Sequence, residues 1–449
     1  MPTTSSSSAP MHTLEQLRAG ALAGARHLKL ACGLRDFPRE IFELADTLEI
    51  LDLAGNELTT LPDDLSRLTR LRVLFCSGNP FEVLPEVLGR CPALQMIGFK
   101  SCRLHTVPDA ALPPTLRWLI LTDNRIETLP AGIGRCTGLR KLALAGNRLT
   151  ALPPEMAACT SLELLRIAAN RIAAFPDWLL DLPRLAWLAY AGNPFCATLD
   201  AAWQAEAHTR PVPWVALATD GVLGEGASGV IHRAAWSAPE GARAVAVKLF
   251  KGEVTSDGLP ASERAACVGA GSHPQLIPVL GEVTGHPADT AGLVMALIDP
   301  AFRSLAGPPS LDTCTRDVYP ADARFTPATA LAIARGIAAA AAHLHQRGIV
   351  HGDLYAHNIL HDGEGRVFLG DFGAASFVSP ADPARARRLE QMEVRAFGCL
   401  LEELAERTAP GVLCDGLAAL AARCLGAVPA LRPGFDEIVR HLDGLAVAA

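Results

Sequence analysis

An asparagine, replaced once by cysteine, recurs along the N-terminal half of the chain at intervals of 23, 23, 22, 23, 23 and 23 residues. These positions are Asn56, Asn79, Cys102, Asn124, Asn147, Asn170 and Asn193. Around each lies the pattern L-x-x-L-x-L-x-x-N-x-L-x-x-L-P, which is clearest from Leu48 to Pro62. A unit this short cannot bury its leucines alone, so neighbouring copies must stack into one continuous core.

The period and the motif resemble those of the leucine-rich-repeat family. This resemblance implies a solenoid, or horseshoe, whose short strands line the concave side and whose asparagines bond backbone groups of neighbouring coils. The segment Leu28–Pro38 resembles a shortened first copy, and Thr13–Leu22 is predicted to form a helical cap. We therefore expect a repeat domain over residues 13–196, preceded by a disordered segment at residues 1–12.

A second group of motifs follows residues 197–213, which carry prolines and are predicted to form a linker. Gly224, Gly226 and Gly229 lie in a glycine-rich segment, and the β-branched run that follows it ends at Lys248. Alone, a G-x-G-x-x-G pattern is a weak signal, because a dinucleotide-binding turn or an ordinary glycine loop has the same spacing.

The order of the later motifs is more specific. His351-Gly352-Asp353 is followed by Asn358, and Asp371-Phe372-Gly373 comes after a strand-like stretch. Together with the glycine segment and the strand lysine, these elements resemble the nucleotide-binding and catalytic motifs of protein kinases. The resemblance implies a bilobal protein-kinase-like domain over residues 214–449 that uses ATP and Mg²⁺.

The same resemblance implies which residues take part in catalysis. Asp353 would accept the proton of the acceptor hydroxyl, and Lys248 would hold the α- and β-phosphates of ATP. Glu263 opens a helical stretch and would pair with Lys248, with Glu253 as the alternative partner.

Metal and nucleotide contacts follow from the remaining motif positions. Asn358 and Asp371 would hold Mg²⁺ through side-chain oxygens. Besides Lys248, the nucleotide contacts would come from the glycine loop, the apolar positions around adenine and the gatekeeper: Gly224, Gly226, Gly229, Ile231, Ala246, Met295 and Leu360.

Several positions depart from the kinase pattern. Gly352 replaces an arginine, Tyr355 replaces a lysine common in Ser/Thr kinases, and His357 lies where many tyrosine kinases carry arginine. Only 22 residues separate Asp371 from Glu393, without an A-P-E motif between them. The platform that positions a peptide is therefore predicted to be short or rebuilt, and the activation segment to be ordered without phosphorylation.

The fold class expected for the whole chain is α/β plus α+β. Its order of domains resembles bacterial proteins in which leucine-rich repeats precede a eukaryotic-like Ser/Thr kinase domain. The favoured function is an ATP-dependent protein kinase, with Ser/Thr acceptors preferred over Tyr. Two alternatives stay open: a pseudokinase-type binding scaffold, and a small-molecule phosphotransferase similar to aminoglycoside or choline kinases.

The predicted concave face of the repeats is unusually apolar. Phe75, Trp118 and Trp187 occupy outward strand positions there, and exposed apolar patches often mark interfaces. We expect this face to bind a protein substrate or regulator, or to be covered by the chain's own kinase domain. A solenoid with an apolar surface and no partner is the alternative.

Composition excludes some other classes. A net charge of −7 gives no reason to expect a nucleic-acid partner. The longest apolar run, Ala328–Leu344, is interrupted by Arg335, Gly336 and His343, and is predicted to be a buried helix rather than a membrane span. The N-terminus has no signal-peptide pattern, and the cysteines fit a reduced state, so the expected compartment is the cytoplasm.

Overall fold

The computed structural model describes residues 11–226, 228–238, 241–252, 254–255 and 257–448. The predicted disordered segment, residues 1–12, lies outside the described residues except for its last two. The chain divides into two compact units. The repeat unit runs to Leu182 and includes Asn193–Phe195, and the C-terminal unit comprises Pro183–Gly192 and the residues from Cys196 onward.

The repeat unit begins with helix α1 (Leu14–Arg18), in which the Thr13 side chain accepts a hydrogen bond from the backbone N–H of Gln16. Short parallel strands then pair in chain order, each joined to the next through a 3₁₀ turn. These strands are β1 (His27–Lys29), β2 (Ile50–Asp52), β3 (Val73–Phe75), β4 (Met96–Gly98), β5 (Trp118–Ile120), β6 (Lys141–Ala143) and β7 (Leu164–Arg166).

The recurring asparagines satisfy backbone groups inside the stack. Asn79, only 1% exposed, donates through Nδ2 to the carbonyl oxygens of Leu53 and Cys76 and accepts through Oδ1 from the N–H of Leu58. Buried backbone groups without partners would destabilise the coils. Cys102 takes over part of this role, because its thiol lies 3.5 Å from the carbonyl oxygen of Cys76.

The C-terminal unit begins with three elements that precede the predicted kinase-like domain. They are strand β8 (Trp187–Ala189), helix α2 (Ala197–Glu206) and strand β9 (Pro211–Pro213). The predicted linker 197–213 is thus largely a helix and a strand. β9 pairs in parallel with a later strand of the unit, and Val212 is fully buried in that sheet's core.

The described residues of the N-terminal lobe of this unit form a six-stranded sheet and one helix. The elements that follow β9 are β10 (Leu217–Glu225), β11 (Gly229–Ala238), β12 (Gly241–Phe250), α3 (Pro260–Gly269), β13 (Val279–Thr284) and β14 (Gly292–Ala296). The strand order in the sheet is β10-β11-β12-β14-β13-β9.

The C-terminal lobe is mainly helical. Its elements are β15 (Arg303–Ser304), α4 (Pro327–Gln346), β16 (Ile349–Val350), β17 (Ile359–His361), β18 (Val367–Leu369), β19 (Ser376–Phe377), α5 (Pro383–Glu406), α6 (Val412–Cys424) and α7 (Phe435–Ala448). Its described strands form two small sheets, ordered β15-β17-β18 and β16-β19.

Helix α4 is central to this lobe. Among the described residues it is the one helix long and apolar enough to cross a membrane by length and composition. Its apolar side chains, including Leu331, Ile337 and Leu344, are buried, and it packs against α5, α6 and α7. Core helices pass the same test, so this is weak evidence for a span.

Candidate active site

A cavity of about 150 Å³ lies between the two lobes of the C-terminal unit. Seven of the predicted site residues line it: Gly226, Gly229, Ile231, Lys248, Glu263, Met295 and Asp371. Five others lie outside its lining: Gly224, Ala246, Asp353, Asn358 and Leu360. Glu253, the alternative partner of Lys248, lies outside the described residues.

The glycine-rich segment joins β10 to β11 above this cavity. Gly224 pairs with Ile231 across the two strands, and the N–H of Gly226 donates to the carbonyl oxygen of Gly229 at 2.9 Å. A Cβ atom at Gly229 would lie 2.4 Å from the carbonyl oxygen of Leu249 on β12. Only glycine therefore fits where the loop meets the sheet.

Lys248 on β12 forms an ion pair with Glu263 on α3. Both residues are buried, with 9% and 1% of their surface exposed. Burial lowers the pKa of Lys248, but the negative charges of Glu263 and Asp371 outweigh it and raise the pKa above its usual value. Lys248 therefore stays protonated at neutral pH and presents a positive charge inside the cavity.

The loop of residues 351–358, called the catalytic loop because it carries the predicted catalytic residue Asp353, lies beside the Asp-Phe-Gly motif. The N–H of Gly370 donates to the carbonyl oxygen of Asn358 at 2.9 Å, and Nε2 of His351 lies 2.9 Å from the carbonyl oxygen of Gly370. The Asn358 amide donates through Nδ2 to both the backbone oxygen and Oδ2 of Asp353. These bonds place the two predicted metal ligands, Asn358 and Asp371, on adjacent chain segments.

Glu393 of α5 binds the backbone of the catalytic loop. Its carboxylate accepts hydrogen bonds from the backbone N–H of Gly352 at 2.6 Å and of His351 at 3.3 Å, and contacts Nε2 of His345 at 2.7 Å. Burial raises the pKa of Glu393, but His345 and the other partners outweigh it and lower the pKa below its usual value. A charged Glu393 therefore fixes the loop backbone.

The segment between β15 and α4 contributes residues that sequence reasoning missed. Asp317 accepts hydrogen bonds from the backbone N–H of His357 at 2.9 Å and from its ring Nδ1 at 2.7 Å. Arg316 and Tyr319, on either side of Asp317, both bond Glu403 on α5. No motif marks Asp317 in the sequence, because its partner is 40 residues away in the chain.

The predicted partner residues fall into two groups. Phe75 and Trp118 of the repeat unit are half-buried, and Nζ of Lys141 lies 4.3 Å from the Trp118 ring centroid. Trp187, by contrast, is only 2% exposed, and its ring stacks on Tyr355 at 4.1 Å between centroids. The expectation that Trp187 is available to a partner is therefore corrected in favour of the other expectation for this face, coverage by the chain's own kinase-like domain.

Comparison with protein families gives independent matches in both halves of the chain. The model described as protein tyrosine and serine/threonine kinase matches residues 217–408. Models described as leucine rich repeat match residues 47–68, 114–172 and 137–195.

Curated relatives match in part of their length. Over aligned stretches of 111, 150 and 153 residues, the chain is 29% identical to cyclin-dependent kinase C-2 C of Arabidopsis thaliana, to serine/threonine-protein kinase TAO1-B of Xenopus laevis and to serine/threonine-protein kinase PITSLRE of Drosophila melanogaster. These alignments cover 25%, 25% and 34% of this chain, and 15% of each relative.

A solved leucine-rich-repeat protein of Leptospira interrogans is 28% identical, with a TM-score of 0.34 over 39% of this chain and 51% of that one. The family matches agree with the two units described above, one a stack of parallel strands and the other a mixed sheet and helices around a cavity. The chain therefore combines leucine-rich repeats with a protein-kinase-like domain.

Proposed function

We propose that the chain is an ATP-dependent protein kinase that transfers the γ-phosphate of Mg-ATP to a Ser or Thr hydroxyl of a protein. The buried ion pair between Lys248 and Glu263, beside Asp371, is the observation that carries this proposal. Burying charge is costly for a fold, so a buried pair that faces a cavity is better explained by binding of a charged ligand. The curated Ser/Thr kinase relatives support the choice of acceptor.

Nucleotide binding would use the residues that line the cavity. The ammonium group of Lys248 would bond phosphate oxygens, and the backbone of Gly226 and Gly229 is close enough to the cavity to cover them. Ile231 and Met295 are apolar and lie on the lining, where a base can pack.

The metal-binding residues fit Mg²⁺ in their chemistry. Asn358 turns its Nδ2 toward Asp353, which leaves its Oδ1 as an acceptor, and Asp371 contributes carboxylate oxygens. Oxygen donors are the ligands that Mg²⁺ prefers. When bound, the metal would neutralise charge on the phosphates.

Phosphate transfer would depend on Asp353. Its carboxylate would orient the acceptor hydroxyl and take its proton, while the acceptor oxygen forms a bond to the γ-phosphorus. The bond between the γ-phosphorus and the β,γ-bridging oxygen breaks, and ADP leaves with that oxygen. The Asn358 amide, which donates to Oδ2 of Asp353 at 2.8 Å, would hold the carboxylate in position.

The repeat unit is proposed to recruit the protein substrate or a regulator. Phe75 and Trp118 are half-buried on their strands, and the cation of Lys141 over the Trp118 ring adds a polar contact to this apolar surface. We also propose a cytoplasmic location, a compartment in which cysteines stay reduced.

The nature of the acceptor is tested by measuring transfer from γ-labelled ATP. Purified protein is incubated with a protein extract, with aminoglycosides and with choline, and labelled proteins are analysed for phosphoserine, phosphothreonine and phosphotyrosine. We expect label on Ser or Thr of proteins. Transfer to a small alcohol alone would favour the small-molecule kinase, and transfer to none of them, including the chain itself, would favour the scaffold.

A further inference from the structure

The activation segment of the C-terminal unit is short. Only residues 374–382 separate the Asp-Phe-Gly motif from α5, and β19 is the one strand among them. β19 pairs with the two-residue strand β16. This pairing does not by itself hold the segment rigidly, because a short two-stranded ribbon is marginally stable.

Strand β8 and its flanking residues supply additional support to the catalytic loop. The ring of Trp187 stacks on Tyr355 with an angle of 7° between the planes, and its indole N–H donates to the carbonyl oxygen of Leu354 at 3.1 Å. Leu354 and Tyr355 directly follow Asp353 in the catalytic loop. Trp187 therefore contacts the loop through both packing and a hydrogen bond.

Tyr190 makes the corresponding contacts to the activation segment. Its backbone N–H donates to Oγ of Ser376 at 3.1 Å, and its phenol donates to the carbonyl oxygen of Phe377 at 2.9 Å. Ser376 is fully buried in these contacts. A hydroxyl in this position is unavailable for phosphorylation while the segment is folded. The hydrogen bond from Tyr190, rather than a phosphate group, orders the segment.

The backbone of the segment Pro183–Gly192 is itself bound by arginines of the C-terminal lobe. Arg432 donates to the carbonyl oxygen of Pro183 at 2.7 Å, and Arg395 donates to that of Arg184 at 3.1 Å. A Cβ atom at Gly352 would lie 2.7 Å from the carbonyl oxygen of Leu188. Pro183 and Arg184 are thus bonded to the lobe before Trp187, and Tyr190 is bonded to it after Trp187.

We propose that Pro183–Gly192 supplies contacts that the short activation segment cannot make by itself. Trp187 and Tyr190 would be the positioning residues for phosphate transfer. This inference rests on the proposed kinase function. Trp187 acts through the loop that carries Asp353, and Tyr190 acts through β19. A displacement of about 1 Å in a reacting group can lower a rate roughly 10²-fold, so small movements of either element matter.

The test compares Trp187→Leu, Trp187→Phe and Tyr190→Phe in the full chain. Trp187→Leu should lower kcat at least about tenfold with the KM for ATP within about twofold, because the loop loosens while the nucleotide cavity stays intact. Trp187→Phe keeps a ring on Tyr355 and should recover part of kcat. Tyr190→Phe loses only the hydroxyl bond and should lower kcat about threefold.

Trp236→Leu is the matched control. Trp236 is also 2% exposed, but it lies in the core of the N-terminal lobe sheet. It should lower thermal stability as Trp187→Leu does, yet leave kcat per folded molecule near that of the wild type. If Trp187→Leu lowers kcat no more than Trp236→Leu does, Trp187 is only a packing residue and the inference is wrong.

A second readout does not require phosphate transfer. Amide hydrogen exchange in residues 349–358 and 374–378 should become faster in Trp187→Leu and Tyr190→Phe, and stay unchanged in Trp236→Leu at temperatures where all are folded. Wild-type exchange rates in both variants would overturn the inference. A wild-type protein that transfers no phosphate to any acceptor would instead overturn the proposed function, so the two failures are distinguishable.

Discussion

The backbone of Gly352 has a φ of +74°, a region that side chains with a Cβ atom rarely occupy. An added Cβ atom would also lie 2.6 Å from the carbonyl oxygen of Ala374 and 2.7 Å from that of Leu188. The glycine is therefore required by both its conformation and its neighbours. The arginine that the kinase pattern has at this position therefore does not fit here.

Gly352→Ala tests this requirement. We expect a loss of about 2–4 kcal/mol in the free energy of unfolding, from positive φ plus close contacts. Gly363→Ala is the control, because Gly363 has a φ of +90° but nothing within 4 Å of its Cβ position. It should cost only about 1 kcal/mol, and equal losses in urea unfolding would show that the contacts at Gly352 have no effect.

His357 pairs with Asp317, and this pairing changes the pKa of the histidine. Burial lowers the pKa of His357, but the hydrogen bond and charge of Asp317 outweigh it and raise the pKa above 6.5. A group whose pKa is raised by folding stabilises the fold below its unfolded pKa, and this stabilisation is lost as the pH rises through the folded value.

Asp317→Asn should therefore destabilise the protein more at about pH 6 than at about pH 9, measured by urea unfolding. Asp64→Asn is the control, because Asp64 pairs with Arg39, which does not titrate in this range. Its effect on the free energy of unfolding should be the same at both pH values. A constant effect of Asp317→Asn would contradict the assignment of a charged His357.

At the scale of elements, the segment 197–213 shows where sequence patterns lose information. Its prolines and short length predict a linker, whereas the structure has α2 and β9 there. β9 has three residues, too few for an alternating pattern, and it pairs with β13, which lies far along the chain. Such pairing depends on tertiary contacts that local composition does not encode.

Val212→Ala measures whether β9 belongs to the folded core. Val212 is fully buried, so we expect a loss of about 2 kcal/mol in the free energy of unfolding. Val215 lies three residues later and is 93% exposed, and Val215→Ala should stay within about 0.5 kcal/mol of the wild type. Two neutral substitutions would mean that the segment is a linker after all.

At the scale of the whole molecule, the sequence predicts the class of each unit because the relevant signals are periodic or close together. The asparagine spacing indicates the repeat strands, and the motifs around Lys248, Asp353 and Asp371 indicate the kinase domain, both of which family matches support. The division between the units was not predictable, because Trp187 fits the repeat pattern while packing on Tyr355.

Asp353, Asn358, Lys248 and Asp371 are proposed to form one centre that binds Mg-ATP and transfers its phosphate. The most direct test is single-turnover transfer from γ-labelled ATP by the wild type and by Asp353→Asn, with ATP affinity measured by calorimetry on the same samples. We predict an affinity within about threefold and a transfer rate lowered roughly 10²–10⁴-fold in the variant. Transfer by Asp353→Asn at the wild-type rate would contradict the proposed role of Asp353.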